Sequence, residues 1–140
     1  MKSRINDAVE RHNRKYNCAQ AVACTYCDCF RIDEETMFKI CEGLGAGMGG
    51  RTETCGALSG AVLLAGCKNS DGCLSNPATK GTTYALSKQI VNCFKQKVDK
   101  TVCAEIKGIG TGKVICSCQC CIETAAAAVE EILFAGQIEE

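Results

Sequence analysis

Apolar residues recur along most of the chain at the three- and four-residue spacing of amphipathic α-helices, and few segments alternate with a period of two. The only proline is Pro77, so little interrupts this pattern. The spacing predicts helices over residues 4–16, 18–30, 34–41, 55–66, 77–98, 101–107 and 120–135. The expected fold class is therefore all-α, a single-domain helical bundle of about five to seven helices that spans residues 1–140.

Several predicted helices begin after a residue that is typical of N-caps. Asn17 precedes the second helix and Asp33 precedes the third. Thr52 or Thr54 stands where it could cap the fourth, and Asn76 precedes the fifth. Because a side-chain oxygen at this position accepts a hydrogen bond from an N–H group that the first turn leaves free, these residues indicate where the helices start.

The segment 43–50 breaks the helical pattern, since five of its eight residues are glycine. Glycine allows left-handed backbone angles and close approach of other groups. Residues 45–50 match G-x-G-x-x-G, but the dinucleotide-binding motif follows a strand, and here a predicted helix precedes it. Nucleotide binding is therefore not expected.

The charge balance gives no sign of a nucleic-acid or membrane partner. Sixteen basic and sixteen acidic residues give a net charge of zero, and tryptophan is absent, so neither a basic surface nor a set of stacking platforms is expected. No segment approaches the run of about 20 apolar residues that crosses a bilayer. The first ten residues contain no apolar run of the kind that signal peptides have. We therefore expect a cytoplasmic protein that binds neither nucleic acid nor membranes.

Cysteine is the outlier of the composition, at 14 of 140 residues. In a secreted chain this density indicates a disulfide scaffold, whereas cytoplasmic thiols stay reduced unless a metal or a redox cycle uses them. The close sets are Cys24, Cys27 and Cys29; Cys116, Cys118, Cys120 and Cys121; and the pair Cys67 and Cys73. Thiolates suit zinc, copper(I) and iron–sulfur clusters, and no set has a standard ferredoxin or zinc-ribbon spacing. All of these cysteines are candidate metal ligands, and the identity of the metal stays open.

Cys55 is the candidate catalytic nucleophile. It opens a predicted helix, whose N-terminus carries about half a positive charge and favours thiolate over thiol. The residues after it include Gly56, Ala57, Ser59 and Gly60. Because these side chains are small, another backbone, a cluster or a partner subunit could come close, and a homodimer through this helix is one expectation.

The single histidine, His12, is flanked by Arg11, Arg14 and Lys15, so we expect it on a solvated face. With no other histidine in the chain, any metal site should be nearly all sulfur. This disfavours a Cys–His catalytic pair and a catalytic zinc site, which usually has histidine ligands.

The motif Cys55-Gly56-Ala57-Leu58-Ser59-Gly60, preceded by one cysteine and followed by two more, resembles a family of redox-active proteins named for this cysteine pattern. The leading cysteine corresponds to Cys18, the third to Cys103 and the fourth to Cys121, for which Cys118 and Cys120 are alternatives. The resemblance covers nearly the whole chain.

The resemblance implies a redox function. The domain is similar to part of the split-Soret cytochromes c, which pair haem with an iron–sulfur centre. This chain lacks the C-x-x-C-H motif of covalent haem attachment, so haem is not expected. The leading hypothesis is an iron–sulfur cluster held by Cys18, Cys55, Cys103 and Cys121, in a protein that exchanges electrons with an unidentified redox partner protein.

Two further hypotheses stay open. In the first, no metal is bound, Cys55 attacks a disulfide, and another cysteine of the family pattern resolves the product. In the second, the additional cysteines bind and store copper(I) or zinc. The residues do not decide whether the protein is an enzyme.

Overall fold

The computed structural model describes residues 1–139, which fold into one all-α domain without a β-strand. The helices are α1 (Ile5–Asn13), α2 (Cys18–Tyr26), α3 (Glu34–Cys41), α4 (Gly56–Asn69), α5 (Lys80–Val98), α6 (Cys103–Lys107) and α7 (Cys118–Leu133). Short 3₁₀ turns follow α2 and α3, and the glycine-rich segment forms an irregular turn over Gly47–Arg51. The predicted fold class is confirmed.

The core lies where α4 and α7 meet the other long helices. α4 packs against α2, α5 and α7, and α7 also contacts α1. Leu64 of α4, Phe94 of α5 and Val129 of α7 are fully buried there. Burial of such side chains stabilises the fold by roughly 1.5–3 kcal/mol each. This packing fixes the positions of the helix ends relative to one another.

The close approach of α2 and α4 depends on glycine. A Cβ atom at Gly60 would lie 2.6 Å from the carbonyl oxygen of Ala19, which is backbone and cannot rotate away. A Cβ atom at Gly56 would lie 3.1 Å from the carbonyl oxygen of Leu44. The small residues of α4 therefore admit α2 of the same chain, and this face is not free for a partner subunit.

Two predicted helix caps are confirmed. The Asn17 side chain accepts a hydrogen bond from the Gln20 N–H at 2.9 Å, and the Gln20 side chain accepts one from the Asn17 N–H at 2.9 Å. This reciprocal pair is a capping box. Asp33 accepts a hydrogen bond from the Thr36 N–H at 3.0 Å. Both caps depend only on residues three positions apart.

The predicted cap of α4 is wrong, and α5, α6 and α7 begin at other residues than predicted, α6 at Cys103 instead of Thr101. Neither Thr52 nor Thr54 caps α4, because Cys55 itself is the N-cap residue. The fifth helix begins at Lys80 rather than at Pro77, and the Asn69 side chain donates a hydrogen bond to the Thr79 carbonyl at its start. The last helix begins two residues early.

The early start of α7 has a local cause. The Ser117 hydroxyl accepts a hydrogen bond from the Cys120 N–H at 3.0 Å and caps the helix. This places Cys118, Cys120 and Cys121 together in its first turn. Within residues 1–139, no helix combines the length and the apolar character needed to cross a bilayer.

Candidate functional site

Four cysteines stand at the starts of four helices. Cys18 is the first residue of α2, Cys55 the N-cap of α4, Cys103 the first residue of α6 and Cys118 the first residue of α7. All four line one pocket of about 220 Å³. The N-terminus of a helix carries partial positive charge that favours a thiolate, but of these four thiols only Cys55 and Cys118 have lowered pKa values. Burial raises the pKa of Cys103.

A short pair of backbone hydrogen bonds brings Cys55 and Cys103 together. The Cys55 N–H donates to the Thr101 carbonyl at 2.7 Å, and the Cys103 N–H donates to the Glu53 carbonyl at 2.8 Å. Gly47 packs directly against this pair of hydrogen bonds, since a Cβ atom at Gly47 would be 2.5 Å from the Cys103 Cβ. Its φ of +56° also favours glycine. The glycine-rich turn therefore positions the site.

The first thiol pair of the site is Cys55 with Cys121. Cys121 is fully buried, and its thiol interacts with that of Cys55. Hydrogen bonding to the Cys121 thiol is the main cause that lowers the pKa of Cys55 to about 6; burial opposes it, and the N–H groups of Leu58 and Ala57 assist it. The Cys55 side chain makes no capping hydrogen bond at the start of α4. The Leu58 and Ala57 amides therefore act on the Cys55 sulfur over a longer distance. The same bond and burial raise the pKa of Cys121.

The second thiol pair is Cys18 with Cys118. A hydrogen bond from Cys18 lowers the pKa of Cys118 to about 5, and the positive charge of Lys107 assists it against burial. The hydrogen bond and burial raise the pKa of Cys18. Each pair thus shares one proton, and each contributes one thiolate near neutral pH.

Lys107 is a site residue that the sequence analysis missed. Burial works against its charge, but the neighbouring Cys121 and Cys118 outweigh burial and raise the pKa of its ammonium. Its Nζ donates to the Cys121 Sγ at 3.6 Å and to the Cys116 carbonyl at 3.2 Å. The sequence contained one signal for Lys107. It follows Cys103 by four residues, which places both residues on one face of α6.

His12 is the second site residue that was missed. It is half-buried, and its nearest ring nitrogen and the sulfurs of Cys18 and Cys118 all lie within 4.8 Å of one another. The expectation that His12 lies on a solvated face is therefore wrong, and the ring stands where it could join two thiols at a metal ion. The cause is tertiary, because α1 packs against α2 and α7 and turns this ring toward their N-termini.

The other predicted metal ligands are not assembled. Cys24 and Cys27 are buried and donate to the carbonyl oxygens of Glu34 and Cys24, while Cys29 is exposed. Cys67 is half-buried and Cys73 is exposed. In the described part of the chain, no three of these five come within 4.8 Å of one another.

Cys116 and Cys120 form a disulfide across the first turn of α7. Neither can ligate a metal as a thiolate while this bond exists. The expectation that these two thiols are free ligands is therefore corrected for this state of the protein. Cys118 lies between the two bonded cysteines, and Cys121 directly follows the second. The disulfide therefore restricts the motion of the segment that carries these two site thiols.

A family model described as "Putative redox-active protein (C_GCAxxG_C_C)" matches residues 16–132. The chain therefore belongs to this redox-active family. The family label writes glycine before cysteine, whereas this chain has Cys55 before Gly56. His12 lies outside the matched residues. No curated protein and no solved structure matches the chain.

Proposed function

We propose that this member of the family is an electron-transfer protein that binds an iron–sulfur cluster through Cys18, Cys55, Cys103 and Cys121. The observation that supports the proposal is that Cys18, Cys55 and Cys103 line one pocket and that the Cys121 thiol interacts with Cys55. Four cysteine thiolates are the usual ligand set of such clusters. Cys118 is the competing fourth ligand, because it lines the same pocket.

The chemistry of the donors fits this cofactor. Soft thiolates prefer iron–sulfur clusters, zinc and copper(I) over hard cations. Cys55, Cys103 and Cys121 are each less than 10% exposed, so a group bound there is protected from water. The helix N-termini and Lys107 offset the negative charge that four thiolates bring. A bound cluster would supply reversible one-electron chemistry.

A second candidate is thiol–disulfide exchange at Cys55 and Cys121, which the hydrogen bond between them favours. With a pKa of about 6, Cys55 is a thiolate at neutral pH and could attack one sulfur of a substrate disulfide, displacing a thiolate. Cys121, once deprotonated, would then attack the Cys55 sulfur and release the second thiolate. The protein would gain a disulfide, and the substrate would gain two electrons.

Storage of many copper(I) ions has less support. It would require further groups of thiols within reach of one ion. The cysteines at positions 24, 27, 29, 67 and 73 form no such group in the described residues.

The test is to purify the protein without oxygen and measure iron, acid-labile sulfide and the visible absorption spectrum. Iron with sulfide, lost in Cys55→Ser and kept in the exposed-site control Cys29→Ser, supports the cluster. A comparison of Cys121→Ser with Cys118→Ser identifies the fourth ligand. Protein without iron or sulfide refutes the cluster, and a reversible Cys55–Cys121 disulfide in peptide maps then supports the exchange reaction.

A further inference from the structure

We propose that His12, Cys18 and Cys118 form a binding site for a single thiophilic divalent ion, with Zn²⁺ as the expected occupant. The site goes beyond the proposed cluster and does not depend on it. Because Cys18 belongs to both, the ion and the cluster are alternative occupants, and the ion binds the chain that holds no cluster.

The proposal rests on the distances between the three donor atoms. Their ligand atoms lie within 4.8 Å of one another, and they are the only group of three potential ligands with this property in residues 1–139. A single ion with bonds of about 2.0–2.3 Å to imidazole nitrogen and thiolate sulfur needs its donors this close. A cluster, by contrast, distributes its ligands over several iron atoms.

The three donors come from three separate helices. His12 lies in α1, Cys18 begins α2, and Cys118 begins α7. α1 packs against both α2 and α7, so helix packing holds the donors in place before any ion arrives. A site that exists in the folded apo-protein binds without the cost of ordering its ligands.

The charges at the site suit a divalent ion. Imidazole and thiolate together are typical zinc ligands. Binding of the ion would release the protons that the two thiols carry, as metal binding does at thiols generally. Two thiolates would then neutralise the two charges of the ion.

The ion would stay accessible from the pocket. His12, Cys18 and Cys118 all line it, and three protein ligands leave one position of a tetrahedral ion for water or for a further pocket thiol. Sites with such a position exchange ligands, whereas closed structural sites do not. His12 stands outside residues 16–132, so the nitrogen ligand is a feature of this chain that the family match does not cover.

The test uses Co²⁺ as a spectroscopic probe in the reduced, metal-free chain without oxygen, followed by displacement with Zn²⁺. We expect one Co²⁺ per chain, with thiolate charge-transfer and tetrahedral ligand-field absorption. His12→Ala should weaken binding at least about tenfold, since even residues that only orient ligands have effects of this size. Asn13→Ala, exposed on the same helix, is the matched control and should bind as the unaltered chain does.

Two measurements keep the test independent of the stability of the variants. Circular dichroism checks that His12→Ala retains its helices. In the unaltered chain, proton NMR of the Co²⁺ complex should show a shifted imidazole N–H signal. Absence of one-to-one binding overturns the proposal. So does a complex whose affinity and spectrum are the same in His12→Ala, which would indicate an all-sulfur site. Iron and sulfide contents decide the cluster separately.

Discussion

The ammonium nitrogen of Lys107 lies 3.6 Å from the sulfur of Cys121, the buried thiol that is hydrogen-bonded to Cys55. A half-buried cation thus stands in contact with one thiol pair, and it also lowers the pKa of Cys118 in the other. Neutral surroundings would raise the pKa of buried thiols by desolvation alone. Lys107 therefore connects the two pairs electrostatically and favours the ionised state of the whole site.

Replacing Lys107 with methionine should raise the pKa values of Cys55 and Cys118. The side chain keeps much of its apolar length but loses the charge that stabilises both thiolates. We expect slower alkylation of these two thiols at neutral pH, measured by mass spectrometry of site-specific peptides. Lys113→Met is the control, since Lys113 is exposed. Equal alkylation rates in both variants would contradict the role of Lys107.

The reduced, metal-free chain should gain stability with pH between about 6 and 9. In this window Cys55, with a folded pKa of about 6, is ionised in the folded protein, but its unfolded pKa is about 9. The unfolded chain therefore binds more protons, and the free energy of unfolding rises with pH. Above pH 9 the raised pKa values of Cys18 and Cys121 reverse the slope.

Urea denaturation at a series of pH values measures this profile. Cys55→Ser removes one of the two site thiols with a lowered pKa and should reduce the rise below pH 9. Cys29→Ser, at an exposed position, is the control and should leave the rise from pH 6 to 9 close to that of the unaltered chain, because burial raises the pKa of Cys29. A profile that is flat from pH 6 to 9 in the unaltered chain would mean that Cys55 and Cys118 are protonated in the folded state.

Two alanine substitutions in α4 should have opposite effects on stability. Gly60→Ala places a methyl group 2.6 Å from the carbonyl oxygen of Ala19, and we expect a loss of about 1–3 kcal/mol from overpacking. Gly66→Ala meets nothing within 4 Å and should add about 0.5–1 kcal/mol through helix propensity. Chemical denaturation of both variants checks the signs. A gain in stability for Gly60→Ala would show that α2 and α4 lie further apart.

Loss of the Cys116–Cys120 disulfide should destabilise the protein modestly. The two residues are separated by four positions, and a loop this short contributes about 2 kcal/mol by chain entropy. We expect this loss in Cys120→Ala under oxidising conditions, measured by urea denaturation. Cys29→Ala, which changes an exposed free thiol, is the control. Peptide maps without a reductant should show the link in the unaltered chain, and its absence there would refute the pairing.

The local features of this fold were predictable from neighbouring residues. The caps at Asn17 and Asp33 act on amides three residues later, and such contacts form wherever the helix forms. The placement of Cys55 at the start of a helix followed for the same reason. A local cap could also be overlooked: Ser117 bonds to the amide three residues later, yet the start of α7 was predicted two residues too late.

The site was predictable in part. A signal for His12 existed, because Ile5, Ala8, Val9 and His12 follow the i, i+3, i+4, i+7 spacing of one helix face. Ala8 of that face is fully buried. The charged neighbours of His12 suggested a solvated face, although Arg11 lies on another face of α1 and Arg14 and Lys15 follow the helix. The position of a residue on the helix therefore indicates its exposure better than the charges of its sequence neighbours do.

By itself, the sequence determined the helical fold class, the membership of a redox-active family and the importance of its thiols, because periodicity, motif and composition are local or additive properties. Only the tertiary structure decided which thiols meet. Cys18 and Cys118 are remote in the chain, and so are Cys55 and Cys121. Their distances follow from how α1, α2, α4, α6 and α7 pack, and that packing depends on the shape of the whole core.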